Sequence, residues 1–78
     1  MLRGIEPSNV HTLEALQYLE GVEHETLVKT SQGPGVRCVS NPGFLTFLVS
    51  GDWIIFINNV PALVVTNEQF NLTYKFKD

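Results

Sequence analysis

The sequence predicts a small α+β domain in which a strongly bent, five-stranded antiparallel sheet lies between an N-terminal and a short C-terminal helix. Three observations support this: leucines at helical spacing near the N-terminus, five short apolar segments separated by turn residues, and a helix-capping motif near the C-terminus. A small, partly open SH3-like barrel fits this order best, and a flat sheet with both helices on one face is the alternative.

Length and composition restrict the number of domains, the ligands and the cellular location that we expect. The 78 residues form a single domain, 1–78, because a chain of this length has no room for a second core. The net charge is -3 without a basic patch, so we expect no binding to duplex nucleic acid. Cys38 is the single cysteine, so no internal disulfide can form and a reducing cytoplasm is expected. The chain shows no signal peptide and no apolar run of about 20 residues, so we expect no membrane association.

The first element is predicted to be an amphipathic helix. Thr12 is a suitable N-cap, and Glu14 then lies in the first turn, where the helix dipole favours an acid. Gly21 is a suitable C-terminal stop. The apolar face of this helix holds three leucines at every third position, Leu13, Leu16 and Leu19.

Five strands are predicted to follow, at Glu25–Thr30, Val36–Ser40, Phe44–Val49, Trp53–Ile57 and Val60–Val65. Between the first two, residues 31–35 are predicted to form a loop; no Lys-Ser or Lys-Thr follows its glycines, so it does not match a phosphate-binding loop. Asn58 and Asn59 favour a tight hairpin, since asparagine tolerates positive φ.

The third and fourth predicted strands, Phe44–Val49 and Trp53–Ile57, do not alternate between apolar and polar residues. Such strands are buried on both faces, or bury the second face against another chain. Two short helices can cover only one face of the sheet. We therefore expect a homo-oligomer, with a two-fold dimer as the simplest solution.

The C-terminus carries the clearest local signal. Thr66 and Gln69 match a capping box, and Val65 and Phe70 occupy the positions of a hydrophobic staple. Phe70 and Tyr74 are four residues apart and share a helix face. A helix of one or two turns is therefore predicted to follow Thr66.

Residues 45–74 resemble a family of small phage and prophage proteins. In that family, Val-x-Gly-Asp followed by Trp or Tyr and two isoleucines leads through a hairpin to a strand and a final Phe-x-x-x-Tyr. Here the matching letters are Val49, the run Gly51–Ile55, Val64, Val65, Phe70 and Tyr74. The hairpin departs from the family, which carries glycines and an acid where Phe56–Pro61 stands. The resemblance implies a phage origin and a host-cytoplasmic location, but no established activity.

Six residues are candidates for a binding site: Trp53, Asp52, Phe56, Asn58, Asn59 and Tyr74. Asp52 is the one charge between Cys38 and Val65, and its alternative role is to hold the turn before Trp53. A domain of this size cannot bury every aromatic ring, so one or two of seven are expected on a binding or self-association surface: Tyr18, Phe44, Phe47, Trp53, Phe56, Phe70 and Tyr74. His11 and His24 are too far apart along the chain to predict a metal site, and no catalytic site or cofactor is predicted.

These observations favour a protein that acts by binding and not by catalysis. With the phage resemblance, the expected function is inhibition or redirection of a host factor, such as an anti-phage defence protein. One alternative is an oligomeric sponge that sequesters a small nucleotide immune signal. Another is a structural or regulatory phage protein.

Overall fold

Antiparallel strands make up most of the chain in the computed structural model, which describes residues 2–6 and 12–77. In order, the elements are β1 (Arg3–Glu6), β2 (Leu13–Gln17), β3 (Val28–Thr30), β4 (Gly33–Arg37), β5 (Leu45–Phe47), β6 (Trp53–Ile57), β7 (Val60–Val65), α1 (Asn67–Thr73) and β8 (Lys75–Phe76).

These strands form two sheets. The larger has the order β7-β6-β2-β1-β8 and the smaller the order β3-β4-β5. The chain after β4 joins them, because the backbone amides of Val39 and Ser40 donate to the carbonyl oxygens of Pro61 and Ala62 at 2.9 and 3.3 Å. The predicted α+β class with a single five-stranded sheet or barrel is therefore wrong, and the described chain is mostly β.

The predicted N-terminal helix is also wrong, because Leu13–Gln17 is strand β2 and pairs along its whole length with β6. Leu13 and Ala15 pack in one hydrophobic cluster, whereas Leu16 packs in another. A strand sends successive side chains to opposite faces, and both faces of β2 are covered. The leucine spacing therefore fits a strand buried on both sides as well as a helix.

The five predicted strands are divided between the sheets. The first and third contain β3 and β5, and the last two match β6 and β7 at both ends. The second was placed three residues too late, because it shares only Val36 and Arg37 with β4. The predicted loop at residues 31–35 is shorter than expected, since β4 begins at Gly33 and pairs there with Thr30. The larger sheet is completed by β1, β2 and β8, for which the sequence had predicted no strand.

The core consists of two clusters separated by the larger sheet. The first lies between the two sheets and contains Leu16, Val36, Cys38, Leu48, Ile54 and Phe56. The second lies between the larger sheet and α1 and contains Ile5, Ala15, Ile55 and Phe70. The order of layers is therefore small sheet, large sheet and helix.

The C-terminal helix is confirmed. Thr66 is its N-cap, the Thr66 hydroxyl accepts from the Gln69 amide at 3.1 Å, and the Gln69 side chain accepts from the Thr66 amide at 3.3 Å. Phe70 is its one buried residue and faces the second cluster. With seven residues, α1 is too short to cross a membrane, and the described residues hold no helix that could.

Candidate functional site

Trp53, the first of the predicted binding residues, joins α1 to the large sheet. Its ring stacks on Phe70 with centroids 3.9 Å apart and planes 8° from parallel. Its indole Nε1 donates to Asn67 Oδ1 at 2.9 Å. Tyr74 and Phe76 also pack against Phe70, with centroids at 5.6 and 5.7 Å, and Phe76 lies 5.7 Å from the Trp53 ring as well. Trp53 and Tyr74 are thus brought together through Phe70, and the indole N–H of Trp53 already has its acceptor within the chain.

Asp52 precedes this stack and holds the turn that leads into β6. Its carboxylate Oδ2 accepts from the Val49 amide at 3.0 Å, across a turn in which Gly51 has φ of 102°. Only glycine adopts that φ at low cost. The carboxylate thus has the turn-holding role that the sequence offers as its alternative to ligand binding.

Phe56 and the two asparagines lie elsewhere. Phe56 is only 2% exposed and belongs to the cluster between the sheets, so it cannot reach a partner. Asn58 and Asn59 have φ of 52° and 68°, as in a tight type I′ hairpin. Asn58 Oδ1 also accepts from the Thr12 amide at 3.0 Å, which ties the hairpin to the start of β2. The six predicted residues therefore do not form one site.

The small sheet presents a second candidate, which we call the β5 surface. Its register places Val28 and Phe47 opposite Gly35, on the face away from the buried Val36. Leu45 leans over Gly35, since a Cβ atom there would lie 2.9 Å from Leu45 Cγ. The surface consists of these outward side chains and the residues flanking β5: Val28, Phe44, Leu45, Phe47 and Val49.

Most of this surface is open to solvent. Phe44 and Val49 are 74% and 70% exposed, and Phe47 and Val28 are 46% and 41% exposed. The chain carries no charged residue from Phe44 to Ser50. The sequence analysis named Phe44 and Phe47 only among seven aromatics without saying which are exposed, and it missed Val28, Leu45 and Val49. The sequence signal for this surface is the uncharged run from Phe44 to Ser50, in which apolar and polar residues do not alternate. A strand buried on both faces has the same pattern, so the signal does not distinguish the two cases.

The outer edge of β5 is open as well, and we call it the β5 edge. Thr46 pairs with Val36, and the Leu48 amide donates to the Pro34 carbonyl at 3.0 Å. Hydrogen-bonded positions alternate in an antiparallel ladder, so Leu45 and Phe47 direct their N–H and C=O groups away from β4. No described strand lies on that side.

The other outermost strands of the two sheets carry features that block pairing. Lys29 lies at the centre of β3, and Lys75 opens the two-residue strand β8. β7 contains Pro61, and its outer side receives the bonds from Val39 and Ser40. Lysine, proline and short length are ordinary protections of edge strands. Of the described edges, β5 has neither charge nor proline.

A cavity of about 500 Å³ opens between the chain after β2 and the β3–β4 hairpin. The residues that line it are Tyr18, Gly21, Val22, Glu23, His24, Leu27, Lys29, Thr30, Gly33 and Pro34. Glu23 and Lys29 form an exposed ion pair at its margin. Their hydrogen bond and opposite charges lower the pKa of Glu23 and raise the pKa of Lys29.

His24 has a defined orientation in this cavity. Its Nδ1 lies 3.3 Å from the Thr26 amide and 2.8 Å from the Thr26 hydroxyl. Because an amide only donates, Nδ1 is the acceptor and the neutral ring carries its proton on Nε2. His24 therefore lines the cavity with its Nδ1 already bonded to Thr26, beside the ion pair of Glu23 and Lys29.

Among the described residues, the single cysteine is buried and the side chains that could bind a metal are dispersed. Burial raises the pKa of the Cys38 thiol, an effect that a hydrogen bond with Thr46 opposes. The thiol is therefore protonated at neutral pH and a weak nucleophile. In residues 2–6 and 12–77, no three His, Cys, Asp or Glu residues come together as metal ligands. His11 lies outside the described residues.

Comparison of the chain with protein-family models, curated proteins and solved structures finds no match.

Proposed function

We propose that this protein is a phage-encoded accessory protein that acts by binding a host protein through the β5 surface. The observation that carries the proposal is the exposure of Phe44, Phe47 and Val49 around a strand without charge. No described residue covers them, although each would be stabilised by burial.

The size and chemistry of the β5 surface suit a protein interface. From the exposed fractions, its five side chains present about 400 Å² of apolar area, within the range of the largest patches on monomers, which are often functional. Interface centres are enriched in aromatic residues and depleted of charge. The charge at the margin is Arg37, which faces Leu45 across the ladder and donates to the Gly43 carbonyl at 3.2 Å.

The biological setting of the proposal comes from the resemblance of Val49, Gly51–Ile55, Phe70 and Tyr74 to small phage proteins. A phage protein of this kind encounters host proteins in the host cytoplasm, and a defence protein is the target class we propose. A structural or regulatory role within the phage would use the same surface on a phage partner.

Affinity capture with a matched control tests the proposal. The test variant carries Phe44→Glu and Phe47→Glu, and the control carries Leu72→Glu, since Leu72 is 81% exposed on α1 in the opposite layer. Immobilised proteins are exposed to lysates of uninfected and phage-infected bacteria, with quantitative mass spectrometry. A host partner should be captured from both lysates and be reduced at least about tenfold by the double variant but not by the control.

Two results would contradict this proposal. Equal capture by the double variant and the wild type would remove the β5 surface from the interface. A partner found only in infected lysate, and encoded by the phage, would replace the host target with the structural or regulatory role. Circular dichroism of both variants verifies that neither is unfolded.

The cavity beside His24 is a second candidate, as a site for a small nucleotide signal. Its volume of about 500 Å³ lies in the range of small-molecule sites, and Tyr18 offers a ring for stacking. Its lysine is already paired with Glu23, which makes it a weaker phosphate ligand. Calorimetric titration with adenine and guanine mono- and dinucleotides tests it. Binding that Tyr18→Ala and Lys29→Ala both weaken would support the sponge function, and no heat with any nucleotide would reject it.

A further inference from the structure

We propose that a second copy of this chain pairs with the β5 edge, antiparallel and with Thr46 on a two-fold axis. The inference goes beyond the proposed function, because it concerns the backbone edge of β5 and not the target that the β5 surface binds. It begins from the outward N–H and C=O groups of Leu45 and Phe47, which have no strand beside them among the described residues.

The sequence of β5 is complementary to itself in this register. Leu45 of one copy lies opposite Phe47 of the second, and the same pair recurs on the other side of the axis. Each pair exchanges two backbone hydrogen bonds, which gives four in all. Both outward positions hold a large apolar side chain, so each aromatic ring contacts a leucine across the new ladder. Thr46 meets Thr46 at the axis, without backbone bonds between them.

The electrostatics permit the pairing. The run from Phe44 to Ser50 is uncharged, so no like charges meet directly across the axis. The nearest cation on the same sheet, Arg37, is one strand further back, opposite Leu45 in its own copy. By contrast, self-pairing of β3 would place lysine side chains near each other at the new ladder.

The dimer would double the β5 surface. Pairing of the two edges gives one six-stranded sheet in the order β3-β4-β5-β5-β4-β3. The outward side chains of Val28, Leu45 and Phe47 then continue across the axis onto those of the second copy. One extended apolar face replaces two small ones, and it remains open to the target.

The interface is small, which determines how the dimer behaves. Only the three residues of β5 in each copy meet across the axis, so the buried surface lies below the usual range for stable complexes. We therefore expect a reversible monomer–dimer equilibrium that depends on protein concentration, and not an obligate dimer.

A cysteine cross-link tests the register directly. The substitution Thr46→Cys is made in a Cys38→Ala background, because Thr46 hydrogen-bonds with Cys38 and the two thiols could otherwise join within one chain. Opposed residues without backbone bonds have Cα atoms about 4.5 Å apart, which a disulfide can span. The control is Val28→Cys in the same background. Val28 is 41% exposed, but five strand spacings, about 24 Å, separate it from its copy in the dimer.

Under mild oxidation, the Thr46→Cys protein should become a covalent dimer, in a fraction that rises with concentration, and the Val28→Cys protein should stay monomeric. Light scattering of the wild type should show the average mass rising over the same concentrations. A constant monomer mass with no cross-link at Thr46→Cys would overturn the proposal. Equal cross-linking of both variants would also overturn it, because random collision would then explain the product.

A further variant separates this inference from the proposed function. Val28→Glu changes the β5 surface at a distance from the edge, so it should reduce capture of the target while the dimer equilibrium stays within about twofold of wild type. Loss of the dimer with Val28→Glu would place the self-association on the surface and overturn edge pairing. If Val28→Glu leaves both the capture of the target and the dimer unchanged, the proposed target surface is contradicted and edge pairing is not.

Discussion

Strands β5 and β6 have similar sequences and different surroundings. Both belong to apolar runs without alternation, and both are predicted to need cover on two faces. β6 lies between β2 and β7, with Ile54 and Phe56 facing one cluster and Ile55 facing the other. β5 is the outermost strand of the small sheet, and Phe47 remains 46% exposed there.

This contrast shows what an apolar strand pattern can and cannot indicate. The pattern indicates that both faces avoid water. It does not indicate whether the same chain covers them, since that depends on strand order. For β6 the cover comes from residues distant in sequence, such as Val36 of the small sheet and Phe70 of α1. For β5, no described residue covers the outward face, and this exposed face is the physical basis of the proposed binding surface.

The largest expected effect compares the same substitution in the two strands. Phe56→Ala should lower the free energy of unfolding by about 3–5 kcal/mol, because Phe56 is 2% exposed and its removal leaves a cavity. Phe47→Ala should cost about 1 kcal/mol or less, since about half of that ring is already in water. Urea denaturation measures both, and Phe56→Leu provides a milder change if the alanine variant does not fold. Equal losses of unfolding free energy in Phe56→Ala and Phe47→Ala would contradict the difference in burial between the two strands.

Trp53 is the intermediate case, partly exposed but stacked. Trp53→Ala should cost about 3 kcal/mol, because α1 loses the ring that packs on Phe70 and Asn67 loses its donor. Trp53→Phe, which keeps an aromatic ring, should cost less. Thermal unfolding followed by circular dichroism is suitable, since the chain then has no tryptophan to fluoresce. An unchanged midpoint with lost binding would move Trp53 from the fold to the interface.

Gly35→Ala tests whether Leu45 lies against Gly35 on the β5 surface. The added methyl would lie 2.9 Å from Leu45 Cγ and 3.1 Å from the Thr46 carbonyl oxygen, closer than ordinary contacts. We expect a loss of about 1–2 kcal/mol, because Leu45 can move outward but the backbone of β5 cannot move freely. Gly4→Ala is the control, since the nearest atom to its new methyl would be 3.7 Å away, on the flexible Lys77 side chain. Equal stability of Gly35→Ala and the wild type would contradict the close contact of Leu45 with the sheet.

The smallest expected effect concerns the N-cap of α1, which lies outside β5 and β6 and provides a reference for the size of the other losses. Thr66→Ala should cost about 1 kcal/mol, because the Gln69 amide loses its acceptor at the start of α1. Thr73→Ala, in the last turn of the same helix, should change stability by only a few tenths of a kcal/mol. Chemical denaturation resolves this difference, and a larger loss at Thr73 would contradict the assignment of the cap.

The sequence predicted the local features of the fold. The capping box at Thr66 and the hairpin at Asn58 and Asn59 are set by residues within four positions of each other, and both are confirmed. The pairing of β2 with β6 joins residues about 40 positions apart, and no local pattern encodes it. With both faces of β2 covered, its apolar residues lost the alternation typical of a strand, and a helix was predicted in error.

For the candidate site, the sequence identified the residue types but not their positions. Trp53 and Tyr74 do meet, through Phe70, yet their contacts hold the fold together. Phe56 is core because β6 is central, a fact that only the strand order reveals. The exposure of Phe44 and Phe47 depends equally on β5 being at an edge.

Hydrogen–deuterium exchange at two protein concentrations tests the contrast between β5 and β6 most directly. In dilute protein, the outward amides of Leu45 and Phe47 should exchange rapidly, while those of Ile54 and Ile55 are protected, since β6 is paired on both sides. In concentrated protein, the β5 amides should become protected, and those of β6 should not change. Full protection of the Leu45 and Phe47 amides in dilute protein would contradict an open β5 edge, because the chain itself would then cover it.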